Sequence, residues 1–134
     1  MILVACIDDN NGMLFNNRRQ SRDKGLIERI IAMNKRVYVN NFSRELFEGY
    51  NNILVDNEFM TNFESEDICF VENIPLSRLI NKADKIILYC WNKKYPADTY
   101  LDISLGDWNL VSECEFNGTS HDNIKEQIYT KGEI

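Results

Sequence analysis

The residues best suited to chemistry are three arginines, Arg18, Arg19 and Arg22, in the segment NNRRQSRD of a chain with formal net charge −6. Guanidinium groups bind phosphate or carboxylate through paired N–H donors, and a helix that starts just afterwards adds free backbone N–H groups. The segment therefore predicts a site for a small anion. The alternative is that these arginines pair with Asp8, Asp9 and neighbouring carboxylates at the surface.

Carboxylates and the single histidine offer a second kind of chemistry. Asp8, Asp9 and Asp23 could bind a metal or transfer protons, although loop charges paired with the arginines explain them more simply. His121 lies between a serine and an aspartate. Adjacent residues of an extended chain point to opposite sides, so this tripeptide cannot form a catalytic triad by itself. One histidine also excludes a multi-histidine metal site, and we predict no metal ligands.

An apolar strand is expected to position these groups. Residues 1–8 form a nearly continuous apolar run, which is typical of a central strand covered on both faces. Ser21 is predicted to cap a helix of about three turns that has Asp23 in its first turn. The other predicted elements are strands at 36–39, 52–55, 67–71 and 85–91, short helices at 43–47 and 75–81, and a hairpin of 108–116 with 124–129.

This order of elements predicts an α/β fold with a mostly parallel sheet and an antiparallel C-terminal hairpin. A length of 134 residues predicts a single domain, 1–134. Because the chain has no basic stripe and no apolar run of about 20 residues, we expect neither nucleic acid nor a membrane as partner. The start MILVACIDD lacks a basic leader, so we expect a cytoplasmic protein. The four cysteines contain no CxxC pair and are predicted to be buried free thiols.

Several segments carry a resemblance to a known family. The chain contains, in this order, IDDNNG at 7–12, NKRV at 34–37, KADK at 82–85, ADTYL at 97–101 and DW at 107–108. As an ordered set they resemble dihydrofolate reductase, in a divergent and shortened form. The resemblance implies a three-layer α/β/α fold with a cleft for a pterin and for NADPH.

The resemblance also assigns a catalytic carboxylate to the start of the first helix, where it would bind the pterin ring and assist its protonation. Counting back from the NKRV segment without gaps places Lys24 there, whereas a slip of one residue places Asp23 there. Asp23 is the catalytic candidate, with the register left open between the two. Cys6, Ile7 and Tyr89 would form the wall of the ligand pocket, beside the anion-binding arginines.

Cofactor binding is where the chain departs most from the family. The resemblance implies Asn41, Ser43 and Arg44 at the turn that grips the cofactor phosphate, and a segment VEN at 71–73 in place of a glycine pair. Side chains then occupy positions where bare backbone should approach the pyrophosphate, and the glutamate adds repulsion. NADPH is the implied cofactor, and its binding is predicted to be weakened.

These observations favour a non-standard dihydrofolate reductase-like protein. It would bind a small anionic or heterocyclic ligand, similar to a nucleotide or a pterin, without normal NADPH-dependent reductase activity. Two alternatives stay open. One is an active reductase with altered cofactor contacts, which requires Asp23 to face the cleft. The other is a non-enzymatic protein-interaction module, which could be a homodimer.

Overall fold

The strands of the protein form one large sheet and one small sheet. The structure is a computed structural model that describes residues 1–131. In chain order the strands are β1 (Ile2–Ile7), β2 (Gly12–Phe15), β3 (Arg18–Arg19), β4 (Val37–Val39), β5 (Ile53–Val55), β6 (Ile68–Phe70), β7 (Lys85–Cys90), β8 (Thr99–Tyr100), β9 (Trp108–Phe116) and β10 (Ile124–Lys131). The helices are α1 (Lys24–Ile31) and three 3₁₀ helices, Arg44–Phe47, Leu76–Arg78 and Ile80–Lys82.

The large sheet has seven strands in the order β5-β4-β6-β1-β7-β10-β9. Strand β1 lies in the middle and pairs in parallel with β6 and β7. Strand β10 runs antiparallel to β7 on one side and to β9 on the other. The predicted α/β sheet, mostly parallel with an antiparallel C-terminal hairpin, is confirmed. Because β1 is central, its carboxyl end lies in the middle of the row of strand ends where parallel α/β folds build ligand sites.

The alternation of side chains along β1 explains its continuous apolar sequence. Leu3 and Ala5 point to one face of the sheet and pack in a cluster that includes Leu76. Ile2 and Val4 point to the other face and pack with α1 and Phe47. Both faces of β1 are therefore covered by core, as the apolar run predicts.

Helix α1 is shorter than predicted and begins later. Leu26, Ile27 and Ile30 form its buried face. Its N-cap is Asp23, which has extended backbone angles and accepts a hydrogen bond from the backbone N–H of Leu26 at 3.1 Å. The prediction that Ser21 is the cap was therefore wrong, because Asp23 also has a capping side chain and lies directly before the first helical residue.

Two further local predictions were wrong. The segment that carries the arginines is not a loop throughout, because β3, β2 and β8 form a small three-stranded sheet. The helix predicted at 75–81 is two short 3₁₀ helices, which cover the face of the large sheet opposite α1. None of the helices within residues 1–131 is long and apolar enough to cross a membrane.

The cysteines are free thiols, as predicted, but only Cys69 is fully buried. Cys6, Cys90 and Cys114 are half-buried. Cys114 lies on the edge strand β9, whereas Cys6 and Cys90 lie at the carboxyl ends of the inner strands β1 and β7.

Candidate functional site

Arg19 lies at the centre of the cationic segment and is held by two carboxylates. Its Nε and Nη2 atoms donate to the two carboxylate oxygens of Glu72 at 2.8 and 3.0 Å. A third nitrogen, Nη1, pairs with Glu45, and Nη2 also donates to the carbonyl of Phe42 at 2.8 Å. Burial by itself would lower the pKa of Arg19, but the hydrogen bonds and charges of Glu72 and Glu45 raise it. Arg19 is therefore a fixed cation that already has its anionic partners.

The Glu72 carboxylate joins two segments that the resemblance assigns to cofactor phosphate. Besides Arg19, it accepts a hydrogen bond of 2.8 Å from the hydroxyl of Ser43, which is fully buried. A parallel link connects the same segments, because Asn40 Nδ2 donates to Asn73 Oδ1 at 2.7 Å. The turn after β4 and the turn after β6 are thus bonded to each other through their side chains.

The other residues predicted at the phosphate turn lie at the surface. Asn41 and Arg44 are exposed, and the backbone N–H of Asn41 donates to Asn57 Oδ1 at 2.8 Å. Of the predicted set, only Ser43 contacts the Glu72 carboxylate. A phosphate group and a carboxylate carry the same sign of charge and need the same donors. The residues present here therefore do not fit the pyrophosphate of a dinucleotide.

The three arginines do not gather at one site, contrary to the expectation. Arg18 and Arg19 line a cavity of about 540 Å³, which we call the Arg18 cavity. Its remaining lining residues are Phe15, Asn16, Gln20, Tyr95 and Pro96. Arg22 lines a separate cavity of about 240 Å³ between α1 and the 3₁₀ helix at 44–47, together with Glu45 and Glu48. Arg18 and Arg19 lie on β3, whereas Arg22 lies beyond the strand, just before the N-cap of α1.

The aspartates after β1 do not pair with these arginines within residues 1–131. Asp8 Oδ1 accepts the backbone N–H groups of Asn10 and Gly12 at 2.8 and 2.7 Å. Its Oδ2 accepts from Gln20 and from the backbone of Tyr95 at 3.0 and 3.1 Å. Burial acts to raise the pKa of Asp8, but these hydrogen bonds outweigh it and lower the pKa. Asp8 therefore fixes the loop after β1 and also holds Gln20 and Tyr95, two residues that line the Arg18 cavity.

Asp23 is buried, and its carboxylate is bonded to the loop between β9 and β10. The Oδ1 atom accepts the backbone N–H of Thr119 at 2.9 Å, in addition to that of Leu26. The Oδ2 atom accepts the backbone N–H of Ser120 at 2.8 Å and contacts His121 Nδ1 at 2.9 Å. Burial would raise the pKa of Asp23, but the donors of Thr119, His121 and Ser120 outweigh it and hold the pKa well below its usual range.

Residues 23 and 24, between which the register was left open, differ in burial. Lys24 is exposed at the first position of α1, whereas Asp23 is the inward residue. The carboxylate approaches Gly118 so closely that a Cβ atom on Gly118 would lie 2.4 Å from Asp23 Oδ1. The catalytic role of Asp23 toward a pterin stays a prediction, and its oxygens are engaged by α1 and the loop 118–121.

His121 contacts side chains from segments that lie far from it in the sequence. Its Nε2 lies 2.8 Å from the hydroxyl of Ser21 and 3.2 Å from the hydroxyl of Tyr95. The imidazole packs against Trp91, with ring centroids 4.6 Å apart. Because 100 residues separate Ser21 from His121, no local spacing in the sequence could have revealed this contact. Within the tripeptide, Ser120 Oγ lies 3.2 Å from His121 Nδ1, although the sequence predicts that adjacent residues point to opposite sides.

The predicted pocket wall lies in the core beneath these loops. Tyr89 is fully buried, and its hydroxyl donates to Glu126 at 2.9 Å. Burial and the charge of Glu126 raise the pKa of Tyr89 well above its usual range. Ile7 is buried, and Cys6 packs against the cluster that contains Tyr89. Contact of Cys6, Ile7 and Tyr89 with a ligand stays a prediction.

The sheet order, the central position of β1 and the C-terminal hairpin define a dihydrofolate reductase-like fold. A solved structure of dihydrofolate reductase from Enterococcus faecalis, complexed with NADP(H) and RAB-propyl, superimposes on this chain with a TM-score of 0.71. The alignment covers 98% of this chain and 96% of that chain at 9% sequence identity. No protein-family model matches the chain, and no curated protein matches its sequence. At this identity the similarity establishes the fold alone.

Proposed function

We propose that this chain is a non-standard protein of the dihydrofolate reductase fold that binds a small anionic ligand and lacks normal NADPH-dependent reductase activity. One observation carries the proposal: the Glu72 carboxylate is bonded to Ser43 and to Arg19 between the two segments assigned to cofactor phosphate. An internal anion there competes with the anion of a dinucleotide for the same donors.

The ligand site that the geometry favours is the Arg18 cavity. Arg18 is exposed and forms no ion pair within residues 1–131, so its guanidinium is available to a ligand. The rings of Phe15 and Tyr95 line the same cavity and offer apolar faces to a planar group. A guanidinium beside two aromatic rings suits a heterocycle that carries a phosphate or a carboxylate.

Calorimetric titration tests this proposal with three probes: adenosine 5′-monophosphate, dihydrofolate and NADPH. We expect one of the first two to bind, and we expect Arg18→Ala to weaken that binding by about tenfold or more, because a charge-assisted hydrogen bond is lost. Arg78→Ala is the matched control, since Arg78 is an exposed arginine outside the cavity. If Arg18→Ala does not change the affinity, the choice of cavity is wrong. Reduction of dihydrofolate by NADPH at ordinary reductase rates overturns the proposed function.

A further inference from the structure

We propose that Ser21, His121 and Asp23 form a nucleophilic serine site, with Ser21 as nucleophile, His121 as general base and Asp23 as the positioning residue. Ser21 Oγ lies 2.8 Å from His121 Nε2, and His121 Nδ1 lies 2.9 Å from Asp23 Oδ2. These contacts give the order hydroxyl, imidazole, carboxylate, in which each group contacts the next at hydrogen-bond distance.

The hydrogen bonds around Asp23 determine the protonation pattern of this site. The Asp23 carboxylate accepts backbone N–H groups from Leu26, Thr119 and Ser120, and these donors favour its ionised form. An ionised Oδ2 accepts the proton on His121 Nδ1. In the neutral imidazole, Nε2 then carries the lone pair and accepts the hydroxyl proton of Ser21.

Two further hydroxyls, those of Tyr95 and Ser120, lie near the ring nitrogens of His121. Tyr95 lies 3.2 Å from Nε2, which is longer than the 2.8 Å contact of Ser21. Ser120 lies 3.2 Å from Nδ1 but can donate to Asp23 Oδ2 at 3.1 Å. The shortest contact on each ring nitrogen is therefore the one that the proposed site requires.

The imidazole is held before any substrate arrives. His121 is buried, with 7% of its surface exposed, and its ring lies against Trp91 at 4.6 Å. Asp23 is fixed at the N-terminus of α1, and Ser21 lies two residues before it. A base and nucleophile fixed in this way lose little conformational entropy on reaction.

The reaction that fits this site is hydrolysis of an ester. Ser21 Oγ attacks the carbonyl carbon while Nε2 takes its proton, and the C–O bond to the leaving alcohol breaks as Nε2 returns that proton to the alcohol oxygen. Water, deprotonated by the same nitrogen, then attacks the acyl carbon, and the bond from that carbon to Ser21 Oγ breaks as Nε2 returns the proton to Oγ. The products are a carboxylic acid and the free Ser21 hydroxyl.

The neighbouring cavity indicates the class of ester. Gln20 precedes Ser21 and lines the Arg18 cavity, and Tyr95 both lines that cavity and contacts His121. An ester with an anionic acyl group would place its charge near Arg18. This choice of ester rests on the proposed function, whereas the nucleophilic serine does not.

A neutral alkyl fluorophosphonate tests the nucleophile directly, because its phosphorus is attacked by an activated serine with release of fluoride. Mass spectrometry of the full chain should show one alkylphosphonyl group, located on the peptide that contains Ser21. Ser21→Ala and His121→Gln should both lose at least about nine-tenths of the labelling, as expected when a unit of nucleophile and base is broken. Ser112→Ala, an exposed serine on β9, should label like the unmodified chain.

Circular dichroism and urea unfolding establish that each variant is folded. Ser21→Ala removes a single half-buried hydroxyl and keeps the test decisive if His121→Gln is unfolded. If labelling is absent, or is equal in Ser21→Ala and the unmodified chain, the nucleophilic site is overturned. The three residues then only cap α1 and hold the loop 118–121 in place. For the ester class, mono-4-nitrophenyl glutarate should react at least about tenfold faster than 4-nitrophenyl acetate. Equal rates overturn the anionic-ester class.

Discussion

The hydroxyl of Ser43 donates a 2.8 Å hydrogen bond to the carboxylate of Glu72, so the turn after β4 and the turn after β6 are joined by a buried polar contact. The guanidinium of Arg19 completes this arrangement with two further hydrogen bonds to the same carboxylate. These turns are the ones that the resemblance to dihydrofolate reductase implies for cofactor phosphate. The contact therefore places an internal carboxylate between the two turns that the resemblance assigns to cofactor phosphate.

Arg19 and Arg18 are adjacent but should contribute very differently to stability. Arg19 is bonded to Glu72, Glu45 and the carbonyl of Phe42, and its guanidinium lies 4.9 Å from the centre of the Phe42 ring. We expect Arg19→Ala to lower the free energy of unfolding by about 1–3 kcal/mol, because a half-buried carboxylate loses its partner. Arg18→Ala should change it by less than about 0.5 kcal/mol. Urea unfolding measures both, and equal losses would contradict the assigned contacts.

Gly118 should be intolerant of even a methyl group. A Cβ atom on Gly118 would lie 2.4 Å from Asp23 Oδ1, a carboxylate held by backbone donors and therefore unable to move aside. Gly118→Ala should lower the free energy of unfolding by about 1–3 kcal/mol. At Gly106 the nearest atom to a new Cβ would be Ser104 Oγ at 3.5 Å, so Gly106→Ala is the matched control and should have little effect. Similar unfolding midpoints for the two variants would refute this packing.

Acid should destabilise the protein partly through Asp23. The folded-state pKa of Asp23 is lowered by its hydrogen bonds, whereas an unfolded aspartate titrates near 3.9. The stabilisation is therefore complete above about pH 4 and is lost as the pH falls toward the folded pKa. Asp23→Asn should lower stability at neutral pH and flatten the fall in unfolding free energy between about pH 5 and pH 3. Asp122→Asn, an exposed neighbour, is the control. An unchanged slope in Asp23→Asn would exclude this assignment.

The parts of the fold that could be predicted from the sequence are the elements with a long apolar run or a long alternating pattern. The apolar run of β1 and the alternating hairpin of β9 and β10 identified the centre and the edge of the large sheet. The small sheet was missed because β3 and β8 have two residues each, too few for any periodicity. The prediction of a single helix at 75–81 was wrong for a related reason. A proline start and two apolar residues fit one α-helix and two 3₁₀ turns equally well.

The sequence identified Arg18 and Arg19, which line the Arg18 cavity, but it could not indicate the long-range contacts of the candidate site. The Arg18 cavity is lined by residues of the segment 15–20 and by Tyr95 and Pro96, not by the loop that directly follows β1. The partner of Arg19 is Glu72, 53 residues away, and the partner of Asp23 is His121, 98 residues away. Such contacts form between loops that are far apart in the sequence, and no local pattern in a single sequence indicates which loops will be neighbours.

The most direct measurement is a calorimetric titration of NADPH into the unmodified chain and into Glu72→Gly, which removes the internal carboxylate. Glu48→Gly, at an exposed glutamate outside this contact, controls for the loss of a negative charge. We predict no detectable binding by the unmodified chain or the control, and a gain of binding in Glu72→Gly. Tight binding of NADPH by the unmodified chain, equal to that of Glu72→Gly, would contradict the central claim that Glu72 occupies the place of the cofactor phosphate.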